Sequence, residues 1–410
     1  MLRKRILVVG SGQSGLMLAT GLHRRGWTVD LFTRGSTDEL RGGPPAPTQH
    51  TFPSVWETER AAGLDLWSGQ APTFTSVQMT MVPDGAAPQS FAGHLSSPGT
   101  AIDHRVKTAD WLEAFEDQGG NVHVKSVTST DVEGFARLGM WDVIVLAVGG
   151  GGELGHLFDP DPDHSSGASS RVLSQVYVYG AAPGAADLQV WTTPYGEVFS
   201  IPVLTAEGPA TSVQVIARPG GPMDSGLADG RRPAAARRSD VRPRITEHIS
   251  NVLRTWAPDL EQRCARADYH PGSALVCAVD PVVRRPLTHI RGVPVLGIGD
   301  AVLRVDPTSG QGAAASTLVA ATVRDRILGQ AAEPVPVFDA DFLTDTYEQY
   351  WQAHGRHTAA FSTMVTDFWA GTLPPAVLKT FAAAGTDQTI ADWWVNGFDN
   401  PAALADALLA

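Results

Sequence analysis

Three glycines stand in the pattern Gly10-Ser11-Gly12-Gln13-Ser14-Gly15, between the apolar run Ile6-Leu7-Val8-Val9 and a stretch of helical periodicity from Leu16 to Arg25. The chemistry this spacing permits is phosphate binding. Without a side chain, Gly12 lets a pyrophosphate approach the backbone, and the helix N-terminus beyond it offers free N–H groups and positive dipole. Gly10, Gly12, Gln13, Ser14 and Gly15 are therefore candidate cofactor-binding residues. A ribose-binding carboxylate normally follows the second strand of such a unit. Here that place reads Thr33-Arg34, and Asp30 lies inside the strand. Arg34 could meet a 2′-phosphate, which would mean NADP. Alternatively, Thr33 bonds the ribose and Arg34 lies along an adenine.

A second constellation favours the latter. Gly297-Ile298-Gly299-Asp300 ends an apolar run, and Val305-Asp306-Pro307-Thr308-Ser309-Gly310-Gln311-Gly312-Ala313 leads into an Ala-rich helix. An Asp at a strand end can accept a hydrogen bond from a ribityl hydroxyl. A helix starting near Gly310 would aim N–H groups at the pyrimidine edge of a flavin, where the reduced ring carries its negative charge. With the first motif, Asp300, Pro307, Gly310, Gln311, Gly312 and Ala313 select FAD over NAD. A further GxGxxG, Gly150 to Gly155, is followed by a stretch rich in Asp, Pro and Ser. It reads as a loop near the flavin, because a second nucleotide fold would need a helix there.

The elements that position these residues follow from periodicity. Ile6–Val9 is a parallel strand buried on both faces, and Thr28–Phe32 completes a βαβ opening. Strands are also expected at Asp142–Val148 and Val293–Ile298, and a helix at Thr308–Leu328. Helices are expected at Ser54–Ala62, Arg105–Gln118 and Ile245–Trp256. The runs 172–179, 188–193, 197–203 and 212–217 are β-rich with short turns and predict a mainly antiparallel sheet. The expected fold is α/β: a GxGxxG FAD-binding domain of Rossmann type, a β-sheet substrate domain and C-terminal helices. Its expected divisions are 1–165 with 268–330, then 166–267, then 331–410.

Bulk properties exclude several classes. The 410 residues carry a net charge of −12, which argues against a nucleic-acid partner. Cys264 and Cys277 alone make neither a disulfide framework nor a zinc set, so a reducing cytoplasm is the expected location. Arg3-Lys4-Arg5 precedes too short an apolar run for a signal peptide, and no stretch is long enough to span a membrane. His50 and His104 lack ligand partners, so no metal is assigned. Arg231, Arg232, Arg237, Arg238, Arg242 and Arg244 form a basic cluster, read as a solvated loop ahead of a helix. The tryptophans at 351, 369, 393 and 394 are read as core and lid packing.

These motifs together resemble the styrene and indole monooxygenases, the epoxidase components of two-component flavin systems. The resemblance runs from the first strand to the last helix. It rests on the GxGxxG, Thr33-Arg34, Ala101-Ile102-Asp103-His104-Arg105, Ile201-Pro202-Val203-Leu204, and Gly299-Asp300 with the Asp306 to Ala313 run. It implies FAD in its reduced form as co-substrate, supplied by a separate NADH:flavin reductase. A C4a-(hydro)peroxyflavin would then pass oxygen to the C=C bond of an aryl alkene or of indole. The implied flavin and substrate wall is Thr48, Gln49 and Pro307, with Val203, Leu204 and Gly99 at the substrate, and with Arg105 and Val127 joining the cofactor residues. No acid–base residue is assigned. Pro47 and Ala314 stand where styrene enzymes carry Asn, and Gln49 is closer to the indole branch. The expected partners are the reductase, O2 and a small hydrophobic aromatic substrate, without nucleic acid or membrane; a homodimer is one option for assembly. A single-component NAD(P)H-dependent aromatic hydroxylase and a non-catalytic flavin-binding protein are the alternatives.

Overall fold

The computed structural model describes residues 4–164, 170–228, 234–235 and 241–408. Its first lobe is built on a six-stranded sheet. Strand β1 (Arg5–Val9) lies at the centre, flanked by β2 (Thr28–Thr33) and by the strand Val143–Leu146, both parallel to it. Asn121–Val124 extends the sheet beyond β2; Val293–Gly297 and the antiparallel edge Leu287–Ile290 extend the other side. Helices cover the inner strands, which is why their sequences are unbroken apolar runs. Helix α1 (Gln13–His23) packs on the long helix Gly312–Gln330, and Gln13 to Leu22 are all buried. Asp30 is enclosed at the amino-terminal half of this sheet, accepting from Arg5 Nε at 2.8 Å, Trp141 Nε1 at 2.7 Å and His123 Nε2 at 3.2 Å. Those bonds make it a structural tie.

The second lobe holds a nine-stranded sheet. From one edge its strands are 234–235, 268–279, 171–179, 208–217, 196–205, 188–193, 73–81, 89–102 and 49–51. Neighbours are antiparallel except 73–81 against 188–193, and a parallel bridge joins Leu204 to Ile102. The strands 49–51, 73–81 and 89–102 thus enter this sheet, although their position in the chain groups them with the first lobe. Hydrophobic alternation alone could not allocate them, because both sheets offer them a buried face.

One face of the large sheet packs on helices 241–256 and 258–264 through Val176, Val213, Ile249 and Leu253. The other packs on the C-terminal helices through Phe361, Met364, Phe381 and Trp394. Trp351 and Trp394 are core residues, Trp369 donates to Thr192 Oγ1 at 2.7 Å, and Trp393 is 36% exposed. The Ala-rich helix begins at Gly312, four residues after the expected Thr308, because Gly310 adopts φ +66° and ends a short 3-10 turn over Pro307–Ser309. A 3-10 turn over Glu153–Leu157 follows the second glycine run in place of a nucleotide-binding helix. Arg231, Arg232, Arg237 and Arg238 lie outside the described residues, while Arg242 and Arg244 open the helix Val241–Trp256. No helix among the described residues is long and apolar enough to cross a membrane.

Candidate functional site

Three glycine turns meet where three adjacent parallel strands end. A Cβ on Gly10, whose φ is +114°, would stand 2.2 Å from the Ala147 carbonyl oxygen, and one on Gly15 would stand 1.9 Å from that of Gly10. A Cβ on Gly150 would lie 2.4 Å from Asp300 O, and one on Gly299 2.6 Å from Ser14 Oγ. The second turn therefore meets the first and third backbone to backbone, the third meets the first at the Ser14 side chain, and added side chains would force them apart. Gly12 differs: nothing lies within 4 Å of where its Cβ would be. It caps α1 without any side-chain hydrogen bond, leaving the amides of the first turn free. Open space before an uncapped helix end suits a pyrophosphate.

A second uncapped helix end stands beside the first. Gln311 caps the helix Gly312–Gln330 without a side-chain bond. Gln13, the first residue of α1, donates through Nε2 to Ala313 O at 3.2 Å, Thr317 Oγ1 at 2.8 Å and Glu59 Oε1 at 3.0 Å. Glu59 also holds Lys107 Nζ at 2.7 Å, with both side chains at most 5% exposed. Burial raises the Glu59 carboxyl pKa, and the Lys107 charge opposes that shift. This buried cluster locks four helices around the two helix ends.

The strand Gln49–Thr51 forms the adjoining wall. A Cβ on Gly312 would lie 3.4 Å from Gln49 Nε2, and one on Gly310 only 2.3 Å from His50 Nε2. Gln49 Oε1, Gln311 Oε1 and His50 Nδ1 are buried without a partner among the described residues. Two amide oxygens that lack donors, beside a helix start, suit a ligand that brings N–H groups. Burial holds His50 uncharged, its pKa lowered to about 4. Its ring meets Phe52 and Phe74 edge-on at 4.9 and 6.1 Å, and Phe52 meets Phe398 at 5.9 Å. An aromatic cluster therefore adjoins the Gly310 turn from the side of the second lobe.

The other residues singled out from sequence have the following surroundings. Thr33 is buried, and its hydroxyl is engaged by Ser11 Oγ at 2.7 Å and Gly35 O at 3.0 Å, so it braces the first glycine turn from behind. Arg34 is exposed beside it. Arg105 is clamped by Asp103, with Nη2 at 2.6 Å from Oδ2, and its Nη1 reaches Gly43 O at 3.5 Å. Val127 packs partly buried on the first core. Val203 and Leu204 point to opposite faces, as strand neighbours must. Val203 joins the core that holds Phe52, Phe74 and Phe398, whereas Leu204 joins the first-lobe core. The space beside Gly99 is filled by the Phe74 ring, 2.3 Å from where a Cβ would stand. Thr48 is buried in a polar ladder of the large sheet. Its amide donates to Gln175 Oε1 at 2.6 Å, and its hydroxyl meets Ser212 Oγ at 3.0 Å and Tyr177 Oη at 3.3 Å. Asp300 is exposed in the short 3-10 turn Gly299–Ala301 that follows its strand. Pro307 opens the 3-10 turn ahead of Gly310.

Sequence reasoning did not find Glu59, Lys107, Arg171 or Glu197, because each depends on a partner far along the chain. The polar ladder did leave a signal, as Gln175 and Tyr177 flank Val176, and Ser212 and Gln214 flank Val213, on their strands. A depression of about 360 Å³ lies elsewhere, and its rim of Asp38, Glu113, Glu116 and Asp117 disfavours an anionic cofactor. Among the described residues no group of three or more His, Cys, Asp or Glu is arranged to hold a metal ion.

Comparison with known proteins agrees with this architecture. Residues 150–263 match the family described as the styrene monooxygenase A substrate-binding domain. A styrene monooxygenase, StyA, of Pseudomonas fluorescens is 24% identical over 412 residues, covering 98% of this chain and 94% of the relative. A second, from a Pseudomonas species, is also 24% identical over the same shares of both chains. Among solved structures, the flavin-dependent brominase Bmp2 superposes with a TM-score of 0.61 at 13% identity, covering 96% of this chain and 98% of its own. HpxO of Klebsiella pneumoniae, solved with FAD and uric acid, gives 0.61 at 16% identity, covering 99% and 96%. These two likenesses establish the fold alone. Along nearly its whole length, this chain is similar to the styrene monooxygenases, and its fold is shared with flavin-dependent enzymes.

Proposed function

We propose that the chain is the oxygenase half of a two-component flavin monooxygenase, which takes reduced FAD from a separate reductase and epoxidises the C=C bond of an aryl alkene or of indole. The observation that carries this reading is the end-to-end likeness to styrene monooxygenases, and the meeting of three glycine turns with two helix starts that lack side-chain caps supports it. Gly10, Gly12, Gln13, Ser14 and Gly15 would receive the pyrophosphate, and the free amides of the first turn of α1 would bind it. Asp300 would accept from a ribityl hydroxyl. Pro307 and Gly310 to Ala313 would border the isoalloxazine, with the amides at the start of the Gly312–Gln330 helix offsetting negative charge on its pyrimidine edge. The reduced flavin, when bound, activates O2 for transfer of one oxygen atom.

The remaining work falls to the chain itself. Phe52, Phe74 and Phe398 keep the adjoining wall apolar and exclude water. His50 contributes no charge there, since burial keeps it neutral. The unpaired Gln49 Oε1 is an acceptor suited to an N–H donor, of which the flavin pyrimidine has one and indole has one. Epoxidation by oxygen transfer needs no acid–base pair, in keeping with a wall whose polar groups are amides and a neutral imidazole.

The test is turnover with and without a reductase. The purified chain should oxidise NADH or NADPH negligibly alone. With a flavin reductase, FAD and NADH it should convert styrene to styrene oxide and indole to a blue pigment. Sustained NAD(P)H oxidation by the chain alone would refute the two-component arrangement, and failure of both substrates would refute the epoxidase assignment.

A further inference from the structure

A buried cluster of charges joins the large sheet to the turn at Pro307. Asp306 is fully buried, and its Oδ2 takes Arg171 Nε at 2.7 Å and Thr366 Oγ1 at 2.8 Å. Its Oδ1 takes the amide and hydroxyl of Thr308 at 2.9 and 2.7 Å, and its own amide donates to Ser362 Oγ at 2.9 Å. The conformation of residues 307–310 is thus set by a carboxylate held from the sheet on one side and from the helix Arg356–Thr366 on the other. Glu197, 4% exposed on the strand Gly196–Thr205, pairs with Ile216, which pairs in turn with Leu173, so that Glu197 lies on the same sheet face as Arg171, two residues from Leu173. Among the described residues Glu197 Oε2 has no partner, and neither does Arg171 Nη2.

The charged groups that bear on Glu197 are Arg171, Asp306 and Arg218, while Asp367 also acts on Arg171. Arg218 is drawn to the helix side, donating to Thr366 O at 3.3 Å. With Glu197 neutral, Arg171 and Asp306 balance each other. With Glu197 ionised, two buried carboxylates share Arg171, whose free Nη2 gives it capacity for a second acceptor. Burial pushes the Glu197 pKa up to about 8, with the neighbouring Asp306 adding to the shift and Arg171 and Arg218 opposing it.

We propose that Glu197 is a positioning residue: in its neutral form it leaves Arg171 committed to Asp306 and so keeps the Pro307–Gly310 turn in its cofactor-receiving shape, and on ionisation it draws Arg171 away and loosens that turn. This rests on the assignment of the turn to FAD. The sign follows from linkage. Binding that requires protonated Glu197 is fully present below its pKa and is lost as pH rises through it.

The experiment measures the Kd for oxidised FAD by flavin fluorescence on the intact chain across the range from about pH 6.5 to about 9.5. In the wild-type protein Kd should stay level at low pH and then rise, by at most about tenfold per pH unit, once Glu197 titrates. In E197Q, a neutral isostere, Kd should remain level across the range. Should E197Q not accumulate as folded protein, E197M carries the same expectation. Thermal melts of the chain without FAD, over the same range, separate positioning from folding: the raised Glu197 pKa makes Tm fall as pH climbs to about 8 and level off above it, where the rise in Kd should occur. An identical alkaline rise in E197Q, a wild-type Kd that never changes, or a Tm that keeps falling in step with affinity above about pH 8 overturns the proposal. Absence of FAD binding at any pH refutes instead the cofactor reading on which it rests.

Discussion

Replacing Gly12 with Ala separates the cofactor cradle from the fold more cleanly than any other single substitution in the site. Gly12 has φ −76° and ψ −178°, a conformation that Ala adopts without strain, and its added methyl would meet nothing within 4 Å. Two opposing effects act on stability. Ala is a poorer N-cap than Gly, which costs about 0.5–1 kcal/mol. Loss of glycine freedom in the unfolded chain returns about 0.4–1 kcal/mol. The Cm in urea should therefore barely move. FAD would feel the methyl directly, because it fills the space through which a pyrophosphate reaches the α1 amides. Forcing one extra methyl into a fitted contact costs about 1–3 kcal/mol, so Kd should rise about 5- to 150-fold at roughly 1.4 kcal/mol per decade. Gly15→Ala supplies the contrast. Its Cβ would lie 1.9 Å from Gly10 O and 3.2 Å from Ala147 Cβ, so it should lower Cm as well as affinity. FAD titration and urea melts on the three proteins give the answer. If G12A binds FAD as tightly as the wild type, the pyrophosphate does not cross Gly12 and the cradle is misassigned.

Two further outcomes test the cofactor assignment and the site's support. Asp300→Ala should weaken FAD binding about tenfold to a hundredfold, through loss of a charge-assisted bond of about 1.5–3 kcal/mol; unchanged titration curves with oxidised and reduced FAD would show that the ribityl chain lies elsewhere. Lys107→Met leaves Glu59 buried without its cation, at a cost of about 3–5 kcal/mol, whereas K107M with E59Q together should recover part of the loss; urea melts that show the single variant as stable as the wild type would mean that water or another group satisfies Glu59.

Local patterns make the dinucleotide half of this molecule legible in its sequence. The runs Ile6–Val9 and Val293–Ile298 are apolar at every position or nearly so, because parallel strands between two helix layers have no wet face. The glycines at 10, 12 and 15 signal a close approach of backbones, and the structure finds Gly10 against Ala147 and Gly15 against Gly10. Gly299-Asp300 and the Asp306 to Gly312 run could be tied to one cofactor because each sits at an element boundary, where turn chemistry restricts residue choice.

Tertiary structure decided the rest. Strands 49–51, 73–81 and 89–102 joined the large sheet, since pairing is settled by non-local backbone hydrogen bonds that leave no mark on periodicity. Gly99 looked like space for a substrate and proved to be space for Phe74, 25 residues earlier in the chain. Thr33 looked available to a ribose and is committed to Ser11, because the turn of α1 folds back over the end of β2. The pairs Glu59–Lys107 and Arg171–Asp306 could not be read at all, lying 48 and 135 residues apart. A charge reveals in sequence only its type. Whether it ends in water or buried against an opposite charge depends on which surfaces the completed fold brings together, and the desolvation that gives such a pair its energetic weight exists only once they are enclosed.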